Sequence, residues 1–276
     1  ALAFRHVASA LAGNDVQPEV VDELFRRLVD WFRSSSPSVV AAAQAALAEA
    51  PAHVALLACL RKAPERRPLC ELGCQLLARA ARHHVENAAA FVGAGAAQLV
   101  CEMLDRHYGV KELQRCGLQA LAILAHYGGG ASQALAADAL RLSLRALRTH
   151  RASASVQIAG CEVLRCLAEL AEAPLEELSE AAQLAKRAFP EDSAVHRAAD
   201  ALLSFAIPRS AAAIGSLMDS ATTDETAQRN AICSLGHLAG YGGVAWRGAS
   251  RVALNRILRA MAQHKGSPVL VASGLW

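Results

Sequence analysis

Apolar positions recur along this chain at helical spacing, and seven stretches share one arrangement. A β-branched residue or Leu is followed four places on by a small residue, and usually by Leu four places beyond that. Val156–Gly160–Leu164 is the clearest copy, matched by Leu69–Gly73–Leu77, Leu113–Gly117–Leu121, Val39–Ala43–Leu47 and Val195–Ala199–Leu203. Ala227–Ala231–Leu235 is a weaker copy, and Val269–Ser273 begins one that the chain end cuts off. Residues at i, i+4 and i+8 lie along one face of an α-helix, so each copy predicts a helix with a buried stripe. A Gly inside a helix costs about 1 kcal/mol relative to Ala. Gly73, Gly117 and Gly160 therefore predict close approach by a neighbouring helix as the compensation.

The small residues are spaced 30, 44, 43, 39, 32 and 42 apart. A long interval holds three helical segments and a short one holds two. After Gly73 the pattern predicts a helix to about His84, a short piece over 87–92, a break at Gly93-Ala94-Gly95 and a helix over 96–106. After Gly117 the series repeats, with Gly128-Gly129-Gly130, a short piece over 132–136 and a helix to Arg148. Pro18, Pro51, Pro68, Pro174, Pro208 and Pro268 each stand near the start of an apolar-periodic run, where Pro is tolerated. No stretch alternates strictly enough to predict a strand. The expectation is an all-α chain built as a long-period helical repeat.

Composition fits that architecture. Hydrophobic residues make up 54% of the 276 but aromatic residues only 4%, so the core is expected to be Ala- and Leu-rich and shared between neighbouring repeats. The net charge of +3 is too small to imply nucleic acid or an anionic membrane as a partner. The apolar stretches 34–48 and 87–101 fall short of the ~20 residues a membrane span needs, and 116–137 is interrupted by His126 and the glycine run. No membrane insertion is expected. Most of the eight cysteines sit at apolar helix positions, which favours a reducing compartment, cytoplasmic or nuclear. The opening residues resemble neither a signal peptide nor an initiator Met, and with the interrupted last copy this reads as one segment of a longer protein, 1–276, with about six to seven repeats.

The run Phe91-Val92-Gly93-Ala94-Gly95-Ala96-Ala97-Gln98-Leu99-Val100-Cys101-Glu102-Met103-Leu104 resembles the short first helix, glycine turn and second helix of the armadillo-repeat family. Leu113–Ala125 is similar to that family's third helix, and 156–168 repeats it. The likeness covers 68–170 and 223–264, is weaker over 1–66, and the repeats at 174–220 look shortened. Leu124-Ala125-His126-Tyr127-Gly128-Gly129 and Leu238-Ala239-Gly240-Tyr241-Gly242-Gly243 align at an offset of 114, and His107, His150 and His264 each close a second helix. The resemblance implies a right-handed α-solenoid whose third helices line a concave groove for an extended peptide or protein surface. Nuclear import adaptors of this family carry repeated Trp and Asn in that groove. Here only Trp31, Trp246, Trp276 and a lone Asn230 are available, so that role is not expected.

Candidate chemistry is sparse. Cys70 and Cys74 lie one turn apart, with His83 and His84 further on, but no second pair completes a zinc site. Cys116 beside Arg115 is the least implausible nucleophile and still reads as packing. The closing histidines are expected to cap helix C-termini. Tyr-Gly-Gly at 127–129 and 241–243 is expected to end a helix, since no phosphate-loop motif follows. The basic loop 61–67 lacks the interleaved aromatics of a single-strand nucleic-acid site. The most suggestive set is Arg115, Arg197 and Arg229, each two residues before a small residue, with Gln119, Glu162, Arg165, Glu169 and Ser204 on neighbouring turns. Guanidinium forks there would suit carboxylates or backbone carbonyls; the plainer account is a polar helix face with local ion pairs. The expected function is a non-catalytic protein-interaction or scaffold module without cofactor or metal, binding a protein or extended peptide. A regulatory arm of a larger enzyme such as a kinase, docked on its own catalytic domain, stands beside it, as do a helical-repeat enzyme and a nucleic-acid adaptor.

Overall fold

The computed structural model describes residues 18–34, 36–49, 52–128, 133–168 and 175–274. Among these there are thirteen helices and no strand: α1 (Pro18–Ser34), α2 (Pro37–Glu49), α3 (Ala52–Lys62), α4 (Arg67–Ala81), α5 (Val85–Gly93), α6 (Ala96–Arg106), α7 (Lys111–Tyr127), α8 (Gln133–Thr149), α9 (Ala154–Leu167), α10 (Leu175–Ala188), α11 (Ser193–Ser220), α12 (Glu225–Gln263) and α13 (Pro268–Gly274). The chain divides into two compact units, Ala1–Ala173 and Pro174–Trp276.

In the first unit the helices recur in threes. α1, α4, α7 and α9 pack successively side by side and form the third-helix layer; α3, α6 and α8 form a second layer; α2 and α5 pack together as first helices. The break predicted at Gly93-Ala94-Gly95 is present, with Gly95 in the left-handed region at φ 81°. That conformation is the one glycine adopts without penalty, and the Arg61 guanidinium fills the space beside it by donating to the Ala94 carbonyl at 2.7 Å. The described part of the next repeat differs, because 133–149 is one continuous helix rather than a short piece and a longer one.

The glycine expectation is met through one repeated contact. A Cβ at Gly73 would stand 2.5 Å from Leu60 Cδ2, and one at Gly117 would stand 2.6 Å from Leu104 Cδ2; Gly160 is pressed the same way by Leu147. In each case the leucine lies thirteen residues earlier, near the end of the second helix. The helix crossing is therefore the same three times over.

The copy anchored at Ala43 proves to be a different element. α2 stands in first-helix position, and Val39 at its head is 40% exposed, whereas Leu69, Leu113 and Val156 are buried. The third helix preceding α4 is α1, whose stripe is Val21, Phe25 and Val29, all buried. A search keyed on a small central residue passes over it because Phe25 fills that place.

In the second unit α10 packs on α11, α11 on α12, and α12 on α13. Pro208 lies inside α11 instead of at a helix start. It sits on an exposed face, and the Arg209 guanidinium lies 3.7 Å over the Phe205 ring and donates to the Phe205 carbonyl. These contacts and the buried residues on both sides of Pro208 carry the helix past a residue that costs about 3 kcal/mol in a helix interior. Pro18, Pro68 and Pro268 do lie in first turns; Pro51 and Pro174 are outside the described residues. Tyr241-Gly242-Gly243 ends no helix, since α12 runs through it.

The final copy is shifted by one. Leu270 is buried and Val269 is 55% exposed, so the stripe is Leu270–Gly274, with Met261 thirteen residues before Gly274 pressed against it. By length and composition α11 could also cross a membrane, its most apolar window having a mean hydropathy of 1.4. Half of that window is buried against other helices.

Candidate functional site

One turn geometry recurs wherever a second helix hands over to a third, and it sets the register of the exposed face. Counting from the small residue, position −3 carries a side chain that reaches back to the end of the preceding helix. Gln114 donates to the carbonyls of Leu104 (2.9 Å) and His107 (3.2 Å), and Gln157 donates to those of Leu147 (3.0 Å) and His150 (3.1 Å). Gln228 does the same to Met218 (2.7 Å) and Ala221 (2.9 Å). All three glutamines are buried. The last carbonyls of a helix have no partner within it. Each amide donates to one of them and adds a second donor to a carbonyl that already accepts from the backbone N–H of Val110, Ser153 or Asp224. His196 plays the part at Ala199, its Nε2 donating to Phe189 O at 3.1 Å.

Position −7 supplies the N-cap of the following helix. Asp192 accepts from the amides of Ala194 and Val195, Asp224 accepts from Ala227, and Ser267 accepts from Leu270. Position −10 holds the histidines. Their rings do more than close a helix: Nε2 of His107 donates to Pro64 O (2.9 Å), that of His150 to Tyr108 O (2.9 Å), and that of His264 to Thr222 O (2.8 Å). Each acceptor lies 42 or 43 residues back, at the matching connection of the previous repeat.

On the outward side of α4, α7 and α9, position +2 is Gln75, Gln119 and Glu162. Gln75 and Gln119 are half-buried and Glu162 is exposed. Arg115 lies among them. Its Nε donates to Glu112 (3.0 Å), one amino group to Gln119 (3.1 Å) and the other to Cys116 Sγ (3.0 Å), so it is held flat along its own helix. Glu162 faces Arg165 on its own helix and Arg82 from the end of α4. Crowding by the surrounding protein holds its carboxyl above the usual range despite both cations. Arg82 acts on it from two helices away, at the end of α4, with α7 packed between.

The sequence reading missed a larger guanidinium group on this layer. Arg79, half-buried near the end of α4, is held below the usual guanidinium value, first by desolvation and then by the like charges of Arg33, Arg82 and Arg115. Among the described residues Arg33, Arg79 and Arg82 have no carboxylate within ion-pair distance. A spacing signal existed for Gln75, which repeats at Gln119 and Glu162. None existed for Arg33, which comes from the helix whose stripe the pattern search passed over.

The other expected residues fall elsewhere. Arg197 and Arg229 are exposed on α11 and α12 of the second unit, as is Ser204, and Glu169 lies outside the described residues. The basic loop is largely engaged: Arg66 pairs with Asp22 at 2.6 Å and Arg67 with Glu71 at 2.8 Å. Burial pushes the Cys70 thiol to about 11 and the Cys161 thiol to about 12. It raises Cys116 too, although Arg115 lies beside it and works the other way. Thiols shifted upward carry little thiolate at neutral pH and make poor nucleophiles. Among the described residues no three His, Cys, Asp or Glu side chains are placed to share a metal ion. The second unit has a cleft of about 260 Å³ lined by Glu176, Glu177, Glu180, Ser234, His237 and Leu238.

Comparison with known proteins yields a likeness of fold. No family model matches the sequence, and no curated protein matches it. Among solved structures, the crystal structure of an engineered protein, a Northeast Structural Genomics Consortium target, superposes with a TM-score of 0.56 at 17% identity, covering 94% of this chain and 97% of that one. At that identity the likeness concerns architecture alone.

Proposed function

We propose that this chain is a non-catalytic interaction module whose units are built from armadillo-like, right-handed helical repeats. Its third helices line a concave groove for an extended peptide or a protein surface. The observation that carries this reading is the third-helix layer of residues 1–173. Three consecutive helices present Gln75, Gln119 and Glu162 at one register, with Arg82 near enough to act on Glu162 across the intervening helix. Amide and carboxylate side chains in such a row suit the alternating donors and acceptors of an extended main chain. Repeat proteins expose extended surfaces of this kind because each repeat contacts only its neighbours. The unbridged, buried thiols agree with work in the cytoplasm or nucleus.

The test is site-specific photocrosslinking in cells. A benzophenone side chain at position 119, on the third-helix layer, should give discrete protein adducts. The same group at position 141, on the second-helix layer, should give none. Adducts at 141 with none at 119 would move recognition away from the groove.

A further inference from the structure

We infer that the third-helix layer of residues 1–173 takes an acidic partner, an extended peptide segment bearing carboxylates, through the guanidinium groups of Arg33, Arg79 and Arg82. This deepens the proposed groove function and rests on it.

Three observations support the assignment. The first is convergence. Arg33 comes from the last turn of α1, Arg79 from the last turn of α4 and Arg82 from just beyond it, and α1 and α4 pack directly together. Packing of two helices thus brings Arg33 to a pair of cations that lie 46 and 49 residues further along the sequence. The second is that among the described residues none of the three is in a close ion pair, although most arginines of this unit's surface are; Glu162 acts on Arg82 only at longer range. Arg26, Arg66, Arg67, Arg106, Arg141 and Arg145 each have a carboxylate. The third is cost. Arg79 is half-buried and partly desolvated, and it bears repulsion from the exposed Arg33 and Arg82 and from Arg115. An incoming anion removes it, so carboxylate binding is favoured both by attraction and by relief of repulsion.

Peptide is favoured over nucleic acid by the other side chains on the same layer. Gln75 and Gln119 offer amides that match a peptide main chain, whereas single-stranded nucleic acid needs aromatic faces for its bases. Around Arg79 the neighbours that act on it are other guanidinia and a thiol. The layer's own carboxylate, Glu162, sits at the α9 end and sets a direction: the acidic residues of a bound segment belong over α1 and α4, away from α9.

The test is fluorescence anisotropy on the full chain with a labelled deca-glutamate peptide as probe. Saturable, salt-sensitive binding is expected, weakened about tenfold in the Arg79→Gln/Arg82→Gln variant, the scale of losing two partly exposed charge pairs. The variant's circular dichroism and melting should match the parent's. Arg141→Gln/Arg151→Gln, which removes equal charge from elsewhere on the unit, should leave affinity unchanged. Equal weakening in both double variants would reduce the effect to net charge and overturn the proposal. So would tighter binding of a labelled RNA of equal charge that is lost in the same variant. If deca-glutamate does not bind while position 119 still crosslinks to partners, the acidic class fails and the groove reading stands.

Discussion

Glycine at 117 is worth more to this protein than its helix propensity suggests. Alanine there would gain about 1 kcal/mol of propensity, but its Cβ would stand 2.6 Å from Leu104 Cδ2, and Leu104 is itself fully buried. Overpacking of that kind costs about 1–3 kcal/mol. Gly117→Ala should therefore lower stability by about 1 kcal/mol, and Leu104→Val in the same chain should recover part of it, as read by urea denaturation. Additive losses in the double variant would contradict the contact. Glu162 carries a separate prediction at this scale. Its carboxyl titrates above the usual range in the folded chain, so its ionised form opposes folding. The proton it holds stabilises the fold at low pH, and that contribution is lost as pH rises through the folded value. Glu162→Gln should consequently raise Tm at pH 7, with the gain fading as pH falls toward about 4.5 and gone below it. A gain that grows toward acid pH would reverse the sign.

At the scale of elements, the repeat is written in a frame running from position −13 to position +2. The sequence made its centre visible, because small residues and flanking apolar ones interrupt an otherwise varied surface. It hid both ends of the frame. Gln114, Gln157 and Gln228 are polar residues buried to serve carbonyls ten and seven places back, and no periodicity marks a polar residue as buried. α1 escaped because Phe25 replaces the small residue, and the last copy was set one place off although His264 holds the same offset from Gly274 as His107 from Gly117. The fusion of helices through Pro208 and through Tyr241-Gly242-Gly243 was illegible for a different reason: packing on α10, α11 and α13 overrides local breakers. Removing one clamp should be costly. Gln157→Leu leaves the carbonyls of Leu147 and His150 without their side-chain donor, a loss of about 2 kcal/mol. The urea midpoint should fall accordingly. An unchanged midpoint would show that water replaces the clamp.

At the scale of the molecule, two compact units divide the residues that sequence reasoning had placed in one row. Arg115, Gln119, Glu162 and Arg165 belong to the first unit, and Arg197 and Arg229 to the second. Recognition therefore does not need a single stripe of arginines. In the first unit the cations of the proposed site, Arg33, Arg79 and Arg82, were not in the expected set, since Arg33 joins the other two only when α1 and α4 pack. Arg115, the residue most prominent in the sequence, is held by Glu112, Gln119 and Cys116. It is committed to its own helix, which leaves Arg33, Arg79 and Arg82 for the proposed contact. The central claim is thus about place: an acidic segment lies on the third-helix layer. The most direct measurement follows the arginine Nε–Hε resonances of the chain by NMR while deca-glutamate is added. The account predicts saturating shifts for Arg33, Arg79 and Arg82, with Arg141 and Arg151 unmoved. Shifts spread evenly over all arginines, or confined to Arg141 and Arg151, would contradict it.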